Sequence, residues 1–218
     1  MLSLLECRVL GVLIEKQHTV PDTYPLSLNA LVAGCNQKSS RDPVLNATES
    51  EVQSAVDQLK YLSLVMEGSG NRVTRYEHNS GRVLQLPTQS VALLATLMLR
   101  GAQTPGELRI SCKRLYKFSD ISSVEVFLNE LRERVTGALV AELPRRPGSR
   151  ENRWVHLLCG VPATEMVSVA AETTPGADVT VSELAALKAN VARLEDEVAQ
   201  LKATMSNLCK ALGVTQLQ

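Results

Sequence analysis

The chain has 218 residues, with Lys+Arg and Asp+Glu equal at 23 each, 44% hydrophobic and 21% charged side chains; this excludes wholesale disorder and a strong global basic excess. Aromatic residues make up only 3%, so the cores must be aliphatic. No apolar run reaches the roughly 18 residues of a membrane span, and the N-terminus lacks the zones of a signal peptide, which predicts a cytoplasmic protein with no membrane partner.

Residues 2–17 predict a helix with Leu5, Val9, Val12 and Leu13 on one face, ended by a turn-forming stretch with Pro21 and Pro25. A second helix follows over 27–35, then a loop over 36–46 containing Arg41-Asp-Pro43. Thr48 with Glu51 has the capping-box order and opens a third helix through residue 62, with Val52, Val56, Leu59 and Leu62 on its apolar face. Residues 64–67 and 73–78 alternate as strands around Gly68-Ser-Gly-Asn71, a hairpin signal.

The same order returns after Pro87: helices over 91–100, from the Thr104-Pro-Gly-Glu107 cap to about residue 116, and over 122–135, then a hairpin from 139–143 and 153–158. Val52, Val56 and Leu59 match Val124, Leu128 and Leu131 at a constant offset of 72 residues, and Arg75-Tyr76-x-His78 matches Arg153-Trp154-x-His156 at 78. The expected fold class is therefore α+β and mostly helical: two tandem winged helix-turn-helix domains, residues 1–87 and 88–159.

Residues 160–179 are rich in Ala, Thr, Pro and Gly without a sustained period and read as a linker. Over 180–213, Leu184, Leu187, Val191, Leu194, Val198, Leu201, Met205, Leu208 and Leu212 alternate spacings of three and four, which predicts a C-terminal coiled-coil helix and a homodimer through it. An antiparallel arm packed on its own domains is the other reading of those heptads.

The motifs Val12-Leu-Ile-Glu-Lys-Gln17, Tyr24-Pro-Leu-Ser-Leu-Asn-Ala-Leu31, Cys35-Asn-Gln-Lys-Ser-Ser-Arg-Asp-Pro-Val44 and Arg75-Tyr-Glu-His78 closely resemble the YceH-like family of uncharacterised bacterial proteins. The likeness continues through Thr104-Pro-Gly-Glu-Leu108 and Arg114-Leu-Tyr116 to the second hairpin, over roughly residues 2–158. The resemblance implies a pair of winged helices and imports no activity; a regulatory DNA-binding role follows by fold analogy alone.

Charge is unevenly placed: residues 1–87 hold 8 basic and 9 acidic side chains, 88–160 hold 11 and 7, and 161–218 hold 4 and 7. In the basic middle, Arg109, Lys113 and Lys117 fall at i, i+4 and i+8 beside Arg114, as a helical stripe, and the second wing adds Arg145, Arg146, Arg150 and Arg153. In the first unit Lys38 and Arg41 precede the third helix, and Arg72 lies in the wing. These are the candidate nucleic-acid contacts, against the plainer readings of a solvated basic surface in the second unit and, for residues 36–43 with Lys38 and Arg41, of a loop held by its own polar side chains, the favoured reading there. Both third helices open with acidic residues, Glu49 and Glu51, and Asp120 and Glu125, which suits a helix N-terminus better than a phosphate.

Enzyme chemistry has no motif behind it: no phosphate-cradling glycine loop, no nucleophile elbow, no metal-spaced His/Cys cluster. The five cysteines are odd in number and widely spaced, as expected of reduced thiols. The expectation is a non-enzymatic protein without cofactor or metal, binding duplex DNA as a dimeric regulator or, alternatively, docking another protein as an adaptor.

Overall fold

The computed structural model describes residues 1–68, 73–145 and 151–160; the expected linker and heptad helix, and Arg72, Arg146 and Arg150, lie outside them. The chain is α+β. Helix α1 (Leu4–Thr19) begins at Ser3, whose hydroxyl accepts from the Glu6 amide while the Glu6 carboxylate accepts from the Ser3 amide. Strand β1 (Leu26–Ser27) leads into α2 (Leu28–Cys35), and Thr48 opens α3 (Glu49–Tyr61) through the expected reciprocal bonds with Glu51. Strands β2 (Val65–Gly68) and β3 (Arg75–His78) form the hairpin, and β1 adds to its β3 edge to give the order β1-β3-β2, all antiparallel.

After the short α4 (Ser80–Val83), the order recurs as α5 (Thr88–Arg100), α6 (Pro105–Ser111), α7 (Ile121–Arg132), β4 (Val140–Leu143) and β5 (Arg153–His156). The repeat reaches further than its sequence signal: where Leu26 pairs with Tyr76, Gln103 pairs with Trp154, by reciprocal backbone bonds of 3.0 and 2.8 Å. Helix α6 stops at Ser111, short of the expected residue 116, and tightens into a 3₁₀ turn over Cys112–Arg114. Tertiary packing overrides the local pattern here. Cys112 is fully buried with its sulfur 2.9 Å from Thr96 Oγ1, and Phe118 must turn inward to meet Tyr116 and Phe127 edge-on.

One hydrophobic cluster runs through both halves. Helix α1 packs more extensively on α5 than on either helix of its own half, and an added Cβ at Gly11 would stand 3.0 Å from Leu99 Cγ. Gly34 is required for the same reason between α2 and α1, because a Cβ there would lie 2.6 Å from Val12 Cγ1. The loop after α2 crosses to α5: the Asp42 amide donates to Leu99 O at 2.8 Å and Arg100 Nη2 to Ser40 Oγ at 2.7 Å. Arg8, on α1 and wholly buried, holds this loop from within through Cys35 O and Pro43 O, at 3.2 and 2.6 Å.

Candidate nucleic-acid interface

The segment running out of α6 gathers four of the expected basic residues. Arg109, Lys113, Arg114 and Lys117 are all exposed. Because α6 ends at Ser111 they do not form a continuous helical stripe. Arg109, Lys113 and Lys117 nevertheless line one shallow hollow of about 310 Å³ with the exposed Ile110 and the buried Phe118 at its floor. Arg109 is oriented by a 3.0 Å bond from Nη2 to Ser119 O.

Arg114 lines a second, polar cleft of about 190 Å³ between the α1 side and the α5 side of the molecule, with Lys16, Arg100, Glu15, Ser39 and Ser40. Two of the motifs that carry the family resemblance, the loop after α2 and Arg114-Leu-Tyr116, thus meet across the same cleft. Arg41, whose side chain is buried, forks onto Glu15 at 2.5 and 3.2 Å and so takes up that negative charge. Lys16 also stands 3.8 Å from Glu15 and bonds Gln37 Oε1 at 3.3 Å, so against this one carboxylate the cleft gathers Lys16, Arg100 and Arg114, a local surplus of positive charge suited to an anion.

Several expected contacts are placed otherwise. Arg41 is not at the surface: besides Glu15 it bonds Gly34 O and Ser40 O, and it works as an internal brace of the loop. Arg153 is committed to Ala102 O at 2.6 Å and to Glu107 at 2.7 Å. Arg145 is exposed but lines a hollow with Glu125, Glu142 and Glu151, a setting that weakens its pull on phosphate. Lys38 is exposed at the rim of the loop.

Two of the four acidic residues that open the third helices, Glu51 and Asp120, are part of the helix caps. Glu51 is held below the usual carboxylate range by the backbone N–H of Thr48, and Asp120 by that of Ser123. The outward faces of these helices carry Glu49, Ser50 and Asp57 on α3 and Ser122, Glu125 and Glu130 on α7. Lys60 at the end of α3 is taken by Glu67.

The repeated Arg, aromatic, His pattern anchors each hairpin. Arg75 bonds Thr23 O and Pro25 O at 3.1 and 2.7 Å, as Arg153 bonds Ala102 O, and Tyr76 and Trp154 are both buried. His78 Nε2 meets Gln17 Oε1 at 2.7 Å, and Nδ1 meets Ser80 Oγ at 2.9 Å. The ring is satisfied when neutral, with Nε2–H donating and Nδ1 accepting. Burial, and secondarily the charge of His18, lowers its pKa to about 4 from an ordinary 6.5. A depressed histidine favours the native state fully above the unfolded value and progressively less as pH falls towards the folded one. Stability should therefore drop by up to about 3 kcal/mol between pH 6.5 and 4 from this residue. Urea denaturation at pH 7.5 and 4.5 will show a smaller difference for His78→Gln than for the parent chain if this is so.

Sequence reasoning passed over Lys16 and Arg100, which stand far apart in the chain and meet only because α1 packs on α5. It also treated the cysteines singly. Cys35 is indeed a core thiol, fully buried and pushed up to about 12 by burial, but Cys7, His156 and Cys159 come together.

The family model described as "Protein of unknown function, DUF480" matches residues 2–149. A UPF0502 protein of Burkholderia orbicola (strain MC0-3) is 59% identical over 98% of this chain and 90% of its own length. UPF0502 proteins of Burkholderia cenocepacia (strain HI2424) and Burkholderia ambifaria (strain MC40-6) are 59% and 57% identical over the same shares. A family model matching residues 2–149 and relatives 57–59% identical over 98% of the chain mean that it belongs to the bacterial UPF0502 (DUF480) family.

Proposed function

We propose that the protein is a non-enzymatic DNA-binding regulator of tandem winged-helix build, dimeric through its C-terminal heptads. The observation that carries this reading is the convergence of Arg109, Lys113 and Lys117 on one exposed hollow, with Arg114 beside Arg100 and Lys16 in the adjoining cleft. In this reading the backbone of duplex DNA is held by the segment after α6. The third helices, whose outer faces are acidic and polar, do not lie deep in a major groove. The contacts are to phosphate and carry no sequence preference by themselves.

The double substitution Lys113→Ala, Lys117→Ala is expected to weaken binding to unrelated duplexes by a similar factor. It should reduce the slope of log K against log salt by about one per lost phosphate contact. An unchanged slope would place the contact elsewhere. A protein-docking role is the second reading, favoured by Tyr61, which is 85% exposed at the end of α3 beside exposed Leu62 and Met66.

A further inference from the structure

Cys7 lies in the first turns of α1, His156 closes β5, and Cys159 follows in the turn after it. One donor atom from each, two sulfurs and a ring nitrogen, lie within 4.8 Å of one another. We propose that these three residues form a metal site for a thiophilic divalent cation, Zn²⁺ being the best match to two thiolates and an imidazole.

Four observations support the site. His156 is only 9% exposed, and its Nδ1 is buried without a hydrogen-bond partner among the described residues, although a buried imidazole nitrogen ordinarily finds one. The two sulfurs are 2.8 Å apart; separating them to the roughly 3.8 Å of two thiolates on a tetrahedral Zn²⁺ needs only about 1 Å of movement. His156 and Cys159 are three residues apart, so one turn supplies two ligands, and the third comes from a helix already fastened to it. The Leu2 amide donates to Leu158 O at 2.8 Å, and Cys159 Sγ approaches Ser3 O at 3.5 Å. Cys159 is half-buried, which gives the ion a path in and leaves a fourth position for water.

The chemistry needs no oxidant. Zn²⁺ binding forms two Zn–S bonds and one Zn–N bond, and the thiol protons leave to solvent. The bound ion would tie the start of α1 to the exit of β5, the point from which the chain leaves the described domain. It binds the native arrangement and not the separated ends, so it raises the unfolding temperature in proportion to its occupancy.

The test is a titration of the full-length, reduced chain with Co²⁺ under anaerobic conditions, followed by displacement with Zn²⁺. The expected result is a thiolate-to-cobalt charge-transfer absorption that saturates at one ion per chain and is lost on adding Zn²⁺. Cys159→Ser and His156→Gln should each lower the affinity at least tenfold, while Cys209→Ser leaves it unchanged. If Cys7→Ser fails to fold, Cys159→Ser, nearer the surface, still decides the matter, with its circular dichroism as the control for folding. Absence of the charge-transfer band, or a band untouched by Cys159→Ser, overturns the proposal. So does a reduced protein that binds no Co²⁺ while its air-exposed form has an intact mass lower by two hydrogens, which would mark the pair as a disulfide.

Discussion

Arg8→Ala is expected to destabilise the protein by about 2–6 kcal/mol, the cost of leaving two buried carbonyls without their charged donor at about 1–3 kcal/mol each. Arg8 is wholly buried on α1 and spends its guanidinium on two carbonyls, Cys35 O and Pro43 O. Cys35 ends α2, so its carbonyl lacks a partner within the helix and would be left without one in the core. Burial, and then the nearby charge of Arg41, hold the Arg8 pKa below its ordinary value. Arg8→Lys keeps the charge but cannot reach both carbonyls with one planar fork, and should fall between the two. Urea unfolding of the three proteins checks the order; an alanine variant as stable as the parent would mean that the loop is held without Arg8.

Leu97→Ala is expected to cost about 2–5 kcal/mol, and to do so for the whole described domain at once. Leu97 is fully buried on α5, the helix that begins the second half and packs on α1 of the first. A cavity there weakens one shared core. Fluorescence of Trp154, the only tryptophan in the chain and buried on β5, and far-UV circular dichroism should report the same shifted midpoint. Two separated transitions would show that the halves unfold independently.

Much of the fold was legible because it is written locally. Thr48 with Glu51 and Thr104 with Glu107 mark helix starts by a spacing that only a cap explains, and both pairs make the reciprocal bonds. The 78-residue repeat of Arg75-Tyr76-x-His78 survives because each half needs the same anchor: an arginine on the loop before its second helix, and an aromatic ring in the core. Strand β1, two residues long, carries no periodicity and exists only through its pairing with β3. The early end of α6 was hidden for a similar reason, since burying Phe118 beside Phe127 is a tertiary demand.

The candidate site was legible in part. Residue type placed Arg109, Lys113, Arg114 and Lys117 at the surface, where they stand. Arg41 is a candidate contact by residue type, but the other reading of its loop, one held by its own polar side chains, is the one the structure takes, and the partner Glu15 lies 26 residues away with no local spacing to betray it. Arg153 misled in the same way, its partner Glu107 being 46 residues distant. The Cys7 and Cys159 pair is separated by 152 residues, a contact no motif at the scale of a turn can announce.

Binding of nucleic-acid phosphates by the basic surface after α6 is decided by fluorescence anisotropy of the full-length protein with a random duplex DNA at two salt concentrations. Binding that is measurable at low salt and falls steeply as salt rises is the predicted result. No binding at low salt would contradict it and would leave the acidic third helices and the exposed Tyr61 face as the docking surface for a protein.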